Sequence, residues 1–301
     1  MISVKKSVYR NWRLYVMLIL PLTYIVIFSY VPMYGVTIAF KDFSFRKGII
    51  GSPWIGFENF RMFFNSRMFN RVISNSMYIS LYGLIAGFPI PILLALALNE
   101  VRAGFFKRSV QMVTYAPYFI STVDMVSMIQ TWLAPRTGFV NLLLTSFGFE
   151  AIDFLSVPSM FSSILVWTDI WQGAGWGSII YLAALSAVDP QLYDAARIDG
   201  ASRVQKAWHI DIPSILPTVT ILLIMDASGI LSVGFQKVFL LQNDMNLRAS
   251  EVISTYVYKV GIQNQDYGFS TAIGLFNSII SFVLLVIVNA VARKVSSTSL
   301  F

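Results

Sequence analysis

Six long stretches of the chain carry one charged residue or none. They run from Leu14 to Phe40, Val72 to Asn99, Ser109 to Pro135, Phe154 to Val188, Ile212 to Gln236 and Tyr267 to Ala292. The third, fourth and fifth hold a single charge each: Asp124, Asp169 and Asp226. A helix needs about 20 mostly apolar residues to cross a bilayer, and every stretch reaches that length. Backbone polar groups find no water in the hydrocarbon layer, so only helices and closed barrels span it. Strand-type alternation is absent, which argues against a barrel. The expectation is an all-α polytopic membrane protein with six spans.

Composition agrees. Hydrophobic residues make up 56% of the chain and charged residues 12%. The mean hydropathy is +0.67. Soluble domains carry about 25% charge, and disordered segments are charged and poor in aromatics, so neither class fits. With no cysteine and one histidine, His209, thiol chemistry is excluded and His-based catalysis has little to work with. The first stretch follows Lys5, Lys6, Arg10 and Arg13, as a signal peptide would. It is about twice the usual hydrophobic length and lacks a clear small-residue cleavage site, so it reads as a retained span.

Six spans put both termini on one side. With both inside, the inner segments 1–13, 99–108, 189–211 and 293–301 hold 12 Lys and Arg in 55 positions. The outer segments 41–71, 136–153 and 237–266 hold 10 in 79. The basic excess favours N-in, C-in. The chain then divides into a cytosolic segment 1–13, a six-span domain 14–292 with an inner loop at 189–211, and a cytosolic tail 293–301. The net charge of +7 fits a membrane-surface excess and calls for no nucleic acid.

The inner loop at 189–211 carries the most local information. Asp189 can cap a helix and Pro190 suits its first position. Gly200 suits a left-handed stop. The spacing predicts a short helix in water or at the membrane surface. Ala195 and Ala196 give it an approachable side, and Leu192, Tyr193 and Ile198 supply apolar anchors. Such a helix can dock in a partner's groove or simply join two spans.

The stretch Asp194-Ala195-Ala196, Gly200, Ile210-Asp211-Ile212-Pro213 resembles the signature of permease subunits in binding-protein-dependent ABC importers. That signature reads E-A-A, three residues, G, nine residues, I-x-L-P. Asp194 stands for Glu and Ile212 for Leu. The phrase Tyr193 to Ser202 resembles the carbohydrate-uptake branch, as does Trp54-Ile55-Gly56-Phe57-Glu58-Asn59-Phe60. Val31 to Gly35 and Ile253 to Tyr258 are similar to permeases for polysaccharide-derived oligosaccharides, alginate importers among them.

The resemblance implies that the short helix is a coupling helix seated on an ATP-hydrolysing subunit. Tyr193, Asp194, Ala195, Ala196, Asp199, Gly200, Ile210 and Pro213 would form the coupling site. It also implies a second homologous permease, two ATP-binding subunits and an extracytoplasmic solute-binding protein, in a bacterial cytoplasmic membrane. The chain contains no G-x-x-x-x-G-K-[ST] loop, so ATP and Mg would be handled by partners and this chain would bind no cofactor. It would not itself be an enzyme.

A carboxylate inside a membrane is costly unless it faces a partner or water. Asp124, Asp169 and Asp226 lie near the middles of their runs. No Lys or Arg lies within a run, and the nearest is Lys237 at an edge. The expected partners are therefore backbone, hydroxyls, water, the second permease or substrate. Structural bonding, a translocation pathway and a permease interface all stand open. By resemblance to maltose-type permeases, Asp169, Gln172, Gly173, Trp176 and Asp226 fall on pathway positions; Asp124 joins them as an intramembrane acid. Three acids without an internal cation point toward a neutral oligosaccharide, while the alginate-like resemblance points the other way. The alternative is an ion-coupled secondary transporter using these aspartates.

Overall fold

The computed structural model describes residues 11–295. Lys5, Lys6 and Arg10 of the first segment, and residues 296–301 of the tail, lie outside the described residues. Among the described residues there is no strand, only an isolated bridge between Lys41 and Trp54.

Four helical stretches are long and apolar enough to cross a membrane: Trp12–Phe40, Arg67–Glu100, Arg203–Ser228 and Tyr267–Lys294. They cover the first, second and sixth uncharged runs and the fifth as far as Ser228. The fourth run forms one helix, Pro158–Ser186, made less apolar by Asp169, Gln172 and its tryptophans.

The third run is broken, contrary to the single span expected. Helix Phe105–Tyr115 tightens into a 3-10 turn, Ala116–Phe119. The backbone then extends at Ile120 and Ser121, and helix Thr122–Trp132 begins. Pro117 lacks a donor, and the Ser121 side chain caps the new helix by accepting from the Asp124 N–H at 3.2 Å. Asp124 is thus an exposed first-turn residue, not the centre of a span.

The fifth run also departs from expectation. Its helix starts earlier, at Arg203, and ends at Ser228. Pro213 has no N–H to offer the turn before it, and the helix widens there into a π segment, Ala207–Asp211. A non-helical stretch through Gly229 leads to helix Phe235–Leu241.

The chain divides into two compact units. One comprises the residues up to Ser66 with Val257–Phe276. Its core packs Ala39, Phe60 and Ala272 with Phe40, Leu275 and Phe276. The phrase beginning at Trp54 folds as a turn on this core. Gly56 takes φ +64, and the N–H groups of Ile55 and Gly56 both donate to the Phe40 carbonyl. The Phe40 ring stacks on Trp54 at 5.5 Å.

The other unit holds Arg67–Tyr256 and the residues from Asn277 onward. Its core joins Ile79, Met125, Ile129, Phe161, Leu165, Val238 and Leu241. At Gly175 the helix Pro158–Ser186 meets the backbone of Thr114 so closely that a Cβ would lie 1.9 Å from its carbonyl oxygen. Asn75 donates to the carbonyls of Arg248 and Glu251, and Ser76 accepts from the Ile253 N–H.

Candidate functional site

The inner loop forms the helix its sequence predicts, Pro190–Ile198. The Asp189 carboxylate accepts from the Gln191 N–H at 2.9 Å. At the other end Gly200 takes φ +73. The Ala201 N–H donates to the Ala196 carbonyl at 2.9 Å and the Gly200 N–H to Arg197 at 3.1 Å. This paired closure is the left-handed helix stop that glycine permits. Ser202 and Gln205 then form a reciprocal capping box that starts the next helix. Start and stop are therefore dictated locally, by side chains within a few positions.

One side of this helix is tied down. The Tyr193 hydroxyl donates to Asp211 Oδ1. Asp211 is fully buried, and its Oδ2 has no hydrogen-bond partner among the described residues. Burial, followed by this hydrogen bond, pushes the Tyr193 phenol up to about 12. Lys206 Nζ reaches Glu100 at 3.3 Å, linking the loop to the end of the helix Pro89–Glu100. The other side is bare. Asp194, Ala195, Asp199 and Gly200 are exposed, and Ile198 is 86% exposed. Val204 and Trp208 extend the exposed apolar surface. Asp194 pairs with its neighbour Arg197, at 3.3 Å. Ile210 and Pro213 lie at the widened turn and in the first turn after it.

The membrane acids separate. Asp169 and Asp226 line one cavity of about 640 Å³, together with Ser80, Gly83, Gly87, Pro91 and Tyr181. A neighbouring cavity of about 310 Å³ shares Asp169 with it and adds Gly173 and Gly234. Such volumes suit small ligands. Gln172 turns away and donates to the Ile120 carbonyl at 2.9 Å, bracing the break in the third run. Trp176 stacks on Tyr118 at 4.6 Å. Asp124 accepts from the Ser121 hydroxyl at 2.6 Å. None of these three lines the cavities.

The expectation that no cation would partner the acids is overturned. Lys237 Nζ donates to Asp169 Oδ1 at 2.6 Å and approaches Gln172 Oε1 at 3.4 Å. Lys237 sits on the short helix after the break in the fifth run. Its neighbour Val238 lies in the core, which turns the lysine toward the helix Pro158–Ser186. Only a lone Lys at the end of one run and a lone Asp inside another hinted at this pair.

Residues 87–297 match the family described as binding-protein-dependent transport system inner membrane component. The chain belongs to that family. Protein LplB of Bacillus subtilis (strain 168) is 40% identical over 300 residues, covering 100% of this chain and 94% of that protein. A polygalacturonan/rhamnogalacturonan transport system permease protein, YteP, of the same organism is 40% identical, covering 96% and 90%. A chain of a bacterial alginate ABC transporter, solved with an alginate pentasaccharide-bound periplasmic protein, superposes with TM-score 0.91 at 38% identity, covering 99% of each chain. The protein therefore has the ABC permease fold, and the resemblance to the carbohydrate-uptake branch is borne out. The family and the apolar helices make it an integral inner-membrane protein.

Proposed function

We propose that the protein is one of two homologous permease subunits of an ATP-driven importer, and that it conducts an oligosaccharide released from an acidic polysaccharide. Near-complete coverage at TM-score 0.91 by a chain of an alginate transporter carries this reading. The permease with a polygalacturonan/rhamnogalacturonan name supports the acidic class. On this reading the chain crosses a bacterial cytoplasmic membrane six times, over 14–292, with segments 1–13 and 293–301 inside. Helix Pro190–Ile198 is the coupling helix. Its exposed face, around Ala195, Asp199 and Gly200, seats in an ATPase subunit, while Tyr193, Ala196, Ile210 and Pro213 hold that face on the permease. ATP and Mg belong to two ATP-binding partners, and the sugar arrives on a solute-binding protein. Asp169, Gly173 and Asp226 line the path; Gln172, Trp176 and Asp124 shape the helices around it.

The test is reconstitution of the complex, purified through this chain, into liposomes. Uptake of a uronate oligosaccharide should require internal ATP and persist when the proton gradient is collapsed. Uptake that stops with the gradient while ATP is maintained would favour the ion-coupled alternative.

A further inference from the structure

An acidic sugar needs a cation somewhere along its path, yet the residues lining the larger cavity include two aspartates and no Lys or Arg. One of those aspartates, Asp169, is paired with a lysine, Lys237. The Lys237 side chain is 8% exposed and the Asp169 side chain 57% exposed, with 2.6 Å between Nζ and Oδ1. Asp169 is the wet member of the pair and screens the lysine from the cavity.

We propose that Lys237 reads substrate charge, and that Asp169 is a resident carboxylate which a uronate carboxylate displaces as the sugar passes. This rests on the acidic-oligosaccharide reading above. The incoming group is chemically the same as the one it replaces. Lys237 stays paired throughout the exchange, so no buried unpaired cation is created. Asp169 faces the cavity and can turn to water when released. Gln172 Oε1, 3.4 Å from Nζ, steadies the amine while its partner changes, and Gln172 is itself fixed to the Ile120 carbonyl. A neutral sugar offers only hydroxyls, which compete poorly with a charge-assisted bond. Because two carboxylates compete for one amine, the bound sugar is held weakly enough to leave, as conduction requires. Asp226 also lines the cavity and adds a repulsion that Lys237 must offset.

The experiment uses the whole reconstituted complex with galacturonate and mannuronate trisaccharides as probes. Assembly is checked by co-purification of the partner subunits. Lys237→Met and Lys237→Gln should each lower uptake of the imported trisaccharide about tenfold or more, the loss expected for a hydrogen bond to a charged group. Lys237→Arg should restore most of it. Asp169→Asn removes the competing carboxylate, so it should lower the KM for the trisaccharide, whereas Lys237→Gln should raise it. A purely structural pair predicts that the two substitutions act alike, because either one breaks the same contact. Equal losses in Lys237→Gln and Asp169→Asn, or unchanged uptake in Lys237→Gln, would overturn the proposal while leaving the importer reading intact. Failure of the unaltered complex to import either trisaccharide would overturn the acidic-substrate reading and this proposal with it.

Discussion

Tyr193→Phe is the most informative single change in the inner loop. It deletes one oxygen and leaves the ring in place. Asp211 is fully buried, its Oδ2 has no hydrogen-bond partner among the described residues, and the Tyr193 hydroxyl serves its Oδ1. The substitution therefore strands both oxygens of a buried carboxylate. A hydrogen bond to a charged group contributes about 1.5–3 kcal/mol. At about 1.4 kcal/mol per factor of ten, the docked state of the loop should lose about tenfold to about a hundredfold in population relative to the undocked one. Amide hydrogen exchange reads this directly. The N–H groups of Gly200 and Ala201, which close the helix, should exchange faster by that factor, while amides near Leu165 in the core keep their protection. Binding-protein-stimulated ATP hydrolysis should fall with it. Asp211→Asn added to Tyr193→Phe removes the stranded charge and should recover part of the protection. Unchanged exchange at Gly200 and Ala201 in Tyr193→Phe would refute the claim that this contact docks the loop.

Other outcomes follow from the same geometry. Gly175→Ala drives a Cβ to within 1.9 Å of the Thr114 carbonyl oxygen; the backbone shift should cost about 1–3 kcal/mol and appear as a lower Tm in detergent. Gly200→Ala meets no atom within 4 Å but must adopt φ +73, at a cost of about 1–2 kcal/mol, so stimulated ATP hydrolysis should drop while membrane insertion is unchanged. Gly200→Asn, better tolerated in that conformation, should lie between. The raised Tyr193 phenol favours the protonated form in the folded loop, so its stabilisation is complete below about pH 10 and is lost as pH rises through about 12. Difference absorbance of tyrosinate between the protein and Tyr193→Phe should show that ionisation near pH 12; ionisation near 10 would contradict it.

What the sequence made legible was local. Asp189, Pro190 and Gly200 each act within a few positions, and the helix they bound is present from Pro190 to Ile198. Long uncharged runs likewise became long helices wherever no strong local competitor intervened. The third run failed as one helix because Pro117 removes a donor and Ser121 offers a cap. Hydrophobicity outweighs neither effect over so short a distance. The site was half legible. Asp169 and Asp226 do share a cavity, but Gln172 and Trp176, on the same helix face as Asp169, are taken up by the Ile120 carbonyl and the Tyr118 ring. The Lys237–Asp169 pair joins residues on separate helices across a break. No periodicity or spacing encodes such a contact; it follows from the tertiary path of the chain after Gly229.

The central claim is that an outside ATPase drives this permease through the bare face of helix Pro190–Ile198. The sequence contains no cysteine, so Ala195→Cys gives a unique thiol on that exposed face. A short thiol-to-amine cross-linker applied to native membranes should join the variant to an ATP-hydrolysing subunit, and ATP with a hydrolysis block should change the yield. A second thiol control, Phe139→Cys, exposed on a segment assigned to the other side of the membrane, should give no such product. Equal labelling of the ATPase from both positions, or none from Ala195→Cys in a complex active in transport, would contradict the claim.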